Sequence, residues 1–243
     1  MHRLDFAGLS GEALGHAGTI AAMTGKNAKN VVVLISGRGS NLEAILKTAA
    51  SEHWDQSPGA RVVAVISNRA DAEGLAIARA FRVPTEVVAH AGHSSREAFE
   101  DALAAAIDAH SPALVVLAGF MRVLTPSFVS RYEGRLINIH PSLLPLFPGL
   151  KTHRRALEAG VRVHGATVHF VSPAVDSGAI IAQAAVAVHP DDDEASLAAR
   201  VLEQEHRLLP RAVRLVLEER ARSKGSKVVL QGVGPGELSL LAS

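Results

Sequence analysis

The chain has 243 residues, of which 48% are hydrophobic, and its 25 Lys and Arg against 24 Asp and Glu give a net charge of +1. This length can bury a substantial core in one or two domains, and the balanced charge offers no basic surface for nucleic acid or an acidic membrane. The chain has no cysteine, which excludes disulfides, a thiolate nucleophile and cysteine-bound metal sites and fits a cytoplasmic location.

The first thirty residues mix charged side chains with glycines and lack the apolar core of a secretory signal. We therefore expect residues 1–29 to form a poorly ordered N-terminal extension, and a translation start at Met23 is the alternative. The longest apolar runs further along are strand-length, well short of the roughly 20 residues that cross a bilayer. We expect no membrane segment.

Strand-like and helix-like stretches alternate from residue 30 onward. The first strand, NVVVLIS at 30–36, is a continuous β-branched run typical of a strand buried on both faces. Ser94 or Ser95 is expected to begin the third helix, with Glu97 placed for a capping box, and Pro126 lies in the first turn of the fourth. The other predicted strands are 61–68, 83–89, 112–120 and 134–140, and the predicted helices are 40–52, 70–81, 94–110 and 125–132.

The pattern changes after residue 160. Two longer strands, at 161–172 and 178–188, are joined by the turn-like PAVDSG and predict an antiparallel pair. A closing helix at 193–223 is expected to bend or restart at Pro210. The whole predicts an α/β fold: a doubly wound, Rossmann-like, mostly parallel sheet flanked by helices, with a C-terminal antiparallel strand pair and a closing helix. One domain would span 30–222, followed by a tail at 223–243.

Ligands of such sheets bind at the carboxyl ends of the strands, near the point where the strand order reverses. Four predicted strands end in polar or glycine-rich residues, and these ends should lie along one edge of the sheet. They are SGRGSN at 36–41, SNR at 67–69, GFMR at 119–122 and NIH at 138–140. The sequence therefore predicts a binding site at this edge.

The glycine loop SGRGSN opens a helix and offers free backbone N–H groups to an anion. It is not a Walker A loop, and Leu42 stands where a dinucleotide fingerprint needs its third glycine. A single phosphate suits it better than a pyrophosphate, and a tight turn without a ligand is the alternative. Ser40 is expected to act as the helix cap.

Asn138 and His140 are two residues apart on a strand, so both side chains leave the same face. An amide donor beside an imidazole can stabilise an oxyanion and move a proton, as acyl transfer requires. A partly buried polar strand end is the alternative. Asp176, in the turn after the next strand, would stabilise a cationic His140 if the two meet. Thr167 and His169 repeat the two-residue spacing. No His/Asp cluster has metal-ligand spacing, so we expect no metal.

Taken together, these stretches resemble the folate-dependent phosphoribosylglycinamide formyltransferases over about residues 30–222. The motifs that carry the resemblance are VVVLISGRGSNLEAIL, the NIHPSLLP run with a downstream Asp-x-Gly, and EQEH. The resemblance implies formyl transfer from 10-formyltetrahydrofolate to the amine of glycinamide ribonucleotide, in purine synthesis, with reduced folate and this nucleotide as the small-molecule partners. It implies neither a nucleic-acid partner nor a membrane, and leaves open whether the chain forms a homodimer.

The resemblance also assigns roles to individual residues. Asn138, His140 and Asp176 look like the catalytic trio. The substrate-binding residues would be Gly39, Ser40 and Asn41 for the phosphate and Glu205 for the ribose. The folate-binding residues would be Arg96, Met121, Arg122, Val123, Leu124, Asn138, Ser172, Pro173, Ala174, Val175 and Asp176.

Arg38 departs from the family pattern, since a small polar residue often stands there; it would add a phosphate contact or point to solvent. Two relatives share the trio. Formyltetrahydrofolate deformylases usually carry a regulatory domain in front and lack the phosphate loop, and methionyl-tRNA formyltransferases add a C-terminal nucleic-acid-binding domain. We expect neither domain here. A non-catalytic, flavodoxin-type nucleotide-binding module would explain the sheet and the loop but not the trio.

Overall fold

This computed structural model describes residues 28–242 of the chain, and strands and helices alternate along them as far as residue 170. The prediction for residues 1–29 falls outside this range, apart from its last two residues. The strands are β1 (Lys29–Ile35), β2 (Ala60–Ser67), β3 (Thr85–Val87), β4 (Leu114–Leu117), β5 (Leu136–His140), β6 (Val163–Phe170), β7 (Ile180–Ala187), β8 (Ala221–Lys224), β9 (Lys227–Leu230) and β10 (Ser239–Ala242). The helices are α1 (Ser40–Ser51), α2 (Gly74–Ala80), α3 (Arg96–Asp108), α4 (Pro126–Arg131), α5 (Thr152–Glu158), α6 (Glu194–Leu217) and α7 (Pro235–Leu238), with a short 3-10 turn at His90–Gly92.

Eight of the strands form one sheet in the order β10-β7-β6-β5-β4-β1-β2-β3. Every neighbouring pair is parallel except those that β6 makes with β5 and β7. The predicted doubly wound sheet with a late antiparallel pair is therefore confirmed. Across the sheet, β2 and β3 are added on one side of β1, whereas β4 and the strands that follow it are added on the other side. The strand order therefore reverses between β1 and β4. A ligand crevice is expected at this reversal.

The central strand β1 is buried on both faces, as its continuous apolar run predicts. Val31, Val33 and Ile35 face one core with α1, α2 and α6, whereas Val32 and Leu34 face a second core with α3 and α4. The period of two along the strand separates the two sets. Helices on both faces thus leave only the ends of the strands open to a ligand.

The starts of two helices differ in detail from the prediction. Gly39, not Ser40, is the N-cap of α1, with a φ of 81°. A positive φ is strained for a residue with a Cβ, which is why glycine takes the position. Ser95 caps α3 and accepts a hydrogen bond from the Ala98 amide at 3.1 Å. Because Ser95 rather than Ser94 is the cap, Glu97 lies one residue too early for a capping box.

The closing helix α6 is continuous over 24 residues and ends at Leu217 rather than at residue 223, so of the predicted bend or restart at Pro210 the restart is wrong. Proline inside a helix removes one backbone hydrogen bond. Here Leu208, Leu209 and Val213 around it are all fully buried in the core, and this burial holds the helix together across the missing bond. No helix within residues 28–242 is both long and apolar enough to span a bilayer.

Two segments carry structure that the sequence interpretation did not assign. Helix α5 follows the proline-rich loop after β5. The region predicted as a tail contains most of the β8–β9 hairpin, with a two-residue Gly225-Ser226 connection, then α7, and then β10, which pairs with β7. A Gly-Ser pair between two short runs is a recognisable hairpin signal. The pairing of β10 with β7 has no such local signal.

Candidate active site

The polar ends of the parallel strands meet at one edge of the sheet, as the sequence predicts. Ser36, after β1, connects three of them. Its hydroxyl donates to the Asn68 side-chain oxygen after β2 at 2.6 Å and accepts from the Met121 amide after β4 at 2.8 Å. These bonds hold the reversal point of the sheet together, next to β5.

Asn138 and His140 lie at the carboxyl end of β5, on the same face of the strand. His140 is buried, at 5% exposure, and Asn138 is half-buried. The antiparallel partner β6 places His169 opposite Asn138 and Thr167 opposite His140. The repeated two-residue spacing thus becomes two cross-strand pairs.

Asp176 reaches His140 from the turn after β6. Its carboxylate lies 3.3 Å from His140 Nδ1 and accepts the Gly149 amide at 2.7 Å. Asp176 itself has a φ of 49°, a left-handed conformation that few residues other than glycine adopt. Two residues on, a Cβ on Gly178 would lie 1.7 Å from the Phe170 carbonyl oxygen, so the Asp-x-Gly turn requires glycine there.

The other ring nitrogen of His140 also faces an acceptor. Nε2 lies 3.0 Å from the Phe147 carbonyl oxygen. A carbonyl can only accept, so Nε2 is the donor in this contact, and the Asp176 carboxylate offers a second acceptor at Nδ1. Both ring nitrogens of His140 therefore face an acceptor.

His169 is a site residue to which the sequence interpretation gave no role. Its Nδ1–H donates to the Phe170 carbonyl at 2.9 Å, and its Nε2 lies 3.3 Å from the Asn138 amide nitrogen. Burial lowers the pKa of His169, against the opposing effects of the Phe170 carbonyl and Asp176. A neutral ring with Nδ1 protonated accepts at Nε2, so it orients the amide of Asn138. The sequence did show that Thr167 and His169 repeat the two-residue spacing of the site. It did not show the register between β5 and β6 that places His169 opposite Asn138.

The loop after β5 is held by buried hydrogen bonds as well as by its prolines. The Thr167 hydroxyl donates to the Ser142 carbonyl at 2.7 Å and accepts the Leu144 amide at 3.0 Å. Gln183 donates to the Leu144 carbonyl at 2.9 Å. Because Thr167 pairs with His140 across the strands, the same contacts hold the loop and the histidine in register.

The glycine loop and the closing helix also meet. The Asn41 side-chain amide donates to the Glu205 carboxylate at 2.6 Å. Both residues are buried, and burial raises the pKa of Glu205 although Asn41 and Arg38 act in the opposite direction. The side-chain oxygen of Asn41 has no hydrogen-bond partner among residues 28–242. Two candidate substrate residues 164 positions apart thus form one polar cluster beside the free amides of α1.

Comparison with known proteins agrees with this geometry. Residues 29–213 match the family model described as formyl transferase. The chain belongs to the formyl transferase family. Phosphoribosylglycinamide formyltransferase of Escherichia coli (strain K12) is 47% identical over 203 residues, which cover 84% of this chain and 94% of that protein.

Solved structures of formyl transferases share the fold. Glycinamide ribonucleotide transformylase 1 from Symbiobacterium toebii is 46% identical, covers 84% of this chain and 94% of that chain, and superposes with a TM-score of 0.79. A formyltetrahydrofolate deformylase from Pseudomonas syringae is 28% identical, with a TM-score of 0.76, but the match covers only 66% of that chain. The higher identity and coverage lie with the transformylases.

The expected folate segments of this formyl transferase follow β4 and β6, the two strands that flank β5 in the sheet. Met121, Val123 and Val175 expose 71%, 57% and 54% of their surface, which is unusual for apolar side chains at a polar site. Leu124 is buried, and the Thr125 amide that follows donates to the buried Glu100 carboxylate at 2.9 Å. This anchor holds the end of segment 121–124, while Met121, Val123 and Val175 stay exposed.

The remaining expected folate-binding residues make fewer contacts with the other candidate residues. Ser172, Pro173 and Ala174 continue the Asp176 turn, with the Ser172 hydroxyl donating to the Ala174 carbonyl at 3.1 Å. Arg122 is half-buried. Arg96 is exposed at the first position of α3, and within residues 28–242 no hydrogen bond joins it to the other candidates. Within the same residues no group of His, Asp or Glu has the arrangement of a metal site.

Proposed function

We propose that this chain is a phosphoribosylglycinamide formyltransferase, which moves the formyl group of 10-formyltetrahydrofolate to the amine of glycinamide ribonucleotide. The observation that carries the proposal is the Asp176 carboxylate 3.3 Å from His140 Nδ1, beside Asn138 and at the same sheet edge as a loop suited to one phosphate. The amine forms a bond to the formyl carbon and the bond from that carbon to N10 breaks. One proton leaves the amine, and N10 gains one.

Asn138 and His140 stabilise the negative charge that develops on the formyl oxygen. Within residues 28–242 the Asn138 amide makes one side-chain hydrogen bond, to His169, which leaves its second N–H for the formyl oxygen. The imidazolium of His140 supplies a full positive charge in a buried site, where electrostatic interactions are strong. Direct donation from Nε2 to the formyl oxygen requires the contact with the Phe147 carbonyl to break when the substrate binds.

Asp176 keeps His140 cationic and handles the proton of the amine. One of its oxygens is already occupied by His140 and the Gly149 amide. Its other oxygen, 3.8 Å from His169, is available to a water that receives the proton. Holding the carboxylate in this orientation is what the left-handed conformation of Asp176 achieves.

The nucleotide lies across the reversal point of the sheet. Its phosphate accepts from the amides of Gly39, Ser40 and Asn41, where the helix dipole adds positive potential. Glu205, oriented by Asn41, accepts from the ribose hydroxyls. This places the amine toward β5 and its catalytic residues.

The reduced folate supplies the activated formyl group. Met121, Val123 and Val175 contact its ring, and the backbone of segments 121–124 and 172–176 offers it hydrogen bonds. Arg96 would pair with a carboxylate at the far end of the molecule. A cytoplasmic location fits these substrates, and whether the chain forms a homodimer stays an open prediction.

Hydrolysis of the same folate is the rival reaction, and the test is whether turnover depends on the amine. Purified full-length chain is incubated with 10-formyltetrahydrofolate, with and without glycinamide ribonucleotide, and N-formyl product and free formate are separated by mass. We expect formylated nucleotide in step with tetrahydrofolate release, and little formate. Formate release at the same rate without the nucleotide would assign the chain to the deformylases, and no turnover would leave only a binding module.

A further inference from the structure

Arg38 stands at the tip of the glycine loop, between Gly37 and Gly39. It is exposed, whereas the backbone beneath it is closely packed. A Cβ on Gly39 would lie 2.5 Å from Gly74 Cα, and the Gly74 amide donates to the Gly37 carbonyl at 3.0 Å. The loop that carries Arg38 is therefore held against the start of α2, and only the arginine side chain is free to turn.

The surroundings of the loop are acidic for an anion-binding site. Glu205 is buried beneath it, and Glu73 immediately precedes the Gly74 contact. Glu43, in the first turn of α1, is paired with Lys47 at 2.7 Å, so these two charges offset each other within the helix. A phosphate dianion at the amides of α1 would still meet the negative potential of Glu205 and Glu73 unless another cation offsets it.

The charge of Arg38 is available for this purpose. Within residues 28–242 no carboxylate lies within 4.0 Å of its guanidinium. Arg38 is nevertheless close enough to Glu205 to lower the pKa of that carboxyl against the raising effect of burial. A planar guanidinium is also the side chain best shaped for phosphate oxygens.

We propose that Arg38 binds the substrate's phosphate monoester, adding a charged contact to the backbone cradle of Gly39, Ser40 and Asn41. The inference rests on the proposed function for the identity of the substrate. The proposed contact depends on a charged side chain at position 38, since the backbone amides of the loop are present whatever residue stands there. A neutral residue at position 38 would leave the cradle but lose the compensating charge.

The test is direct binding of D-ribose 5-phosphate to the full-length protein by calorimetry, with D-ribose as the uncharged control. Arg38→Ala is expected to weaken binding about tenfold, the effect of one charge-assisted hydrogen bond, and Arg38→Lys to recover part of it. The effect should shrink at high salt, because an exposed charge contact is screened. Arg61→Ala is the matched control: Arg61 is also exposed but lies near the amino end of β2, at the opposite edge of the sheet.

The same variants are then compared in the formyl transfer assay. Arg38→Ala should raise the KM for glycinamide ribonucleotide by a similar factor and leave the KM for the folate unchanged. The inference is overturned if Arg38→Ala binds ribose 5-phosphate as tightly as Arg61→Ala does. It is also overturned if the wild type does not bind ribose 5-phosphate. Failure of the proposed function is distinguishable, since wild type would then bind the sugar phosphate in an Arg38-dependent way without formylating the nucleotide.

Discussion

Acid should destabilise this protein through a buried histidine that plays no part in the chemistry. His164, on β6, is 1% exposed and packs edge-on against His153 at 5.3 Å between ring centroids. Burial, helped by the proximity of His153, lowers the pKa of His164 from 6.5 to about 4. His164 is therefore protonated at a lower pH in the folded chain than in the unfolded chain.

The sign and size follow from proton linkage. Between pH 6.5 and 4 the unfolded chain binds more protons at this residue, so the contribution of His164 to the free energy of unfolding is complete above pH 6.5 and falls as the pH drops toward 4. From these two pKa values, lowering the pH from 7.5 to 5 costs about 2 kcal/mol, and the full loss is about 3 kcal/mol. The lowered pKa of His153 acts in the same direction.

Urea unfolding at pH 7.5 and pH 5 measures this effect, with wild type beside His164→Asn. The variant, whose amide cannot take up a proton in this range, should lose about 2 kcal/mol less between the two pH values. His189→Asn, at an exposed histidine, is the matched control and should behave as wild type does. An equal pH dependence in wild type and His164→Asn would show that His164 is not the group that destabilises the protein in acid.

Three further predictions concern the site. Asp176→Asn should lower kcat by about 10² to 10⁴-fold with little change in melting temperature, because His140 loses its charge partner; a kcat within threefold of wild type would contradict the pairing. His169→Leu should lower kcat about tenfold or more while both KM values stay similar, since only the orientation of Asn138 is lost, and unchanged kcat would remove His169 from the site. Glu205→Gln should raise the KM for glycinamide ribonucleotide about tenfold and leave the folate KM unaltered, and a selective rise in the folate KM would show that the ribose assignment is wrong.

The layers of the fold were predictable because they depend on local patterns. The continuous apolar run of β1 predicts a strand buried on both faces, and both cores confirm it. The edge of the sheet was predictable for the same reason, since polar ends of parallel strands must lie together. Asn138 and His140 share a face by the period of the strand alone.

The rest depended on contacts between distant parts of the chain. Asp176 is 36 positions from His140, and Glu205 is 164 positions from Asn41, so no local pattern fixes either distance. The role of His169 depends on the register between β5 and β6. The cap at Gly39 was missed because a serine beside a glycine is the commoner cap, whereas here the close approach to α2 decides.

The central claim is that a cationic His140 stabilises the charge on the formyl oxygen, and the kcat of His140→Asn tests it most directly. Wild type and variant are compared under saturating 10-formyltetrahydrofolate and glycinamide ribonucleotide, after circular dichroism has shown that both are folded. We expect a loss in kcat of about 10³-fold or more, with KM values within a few-fold of wild type. A variant that retains a tenth or more of the wild-type kcat would contradict it.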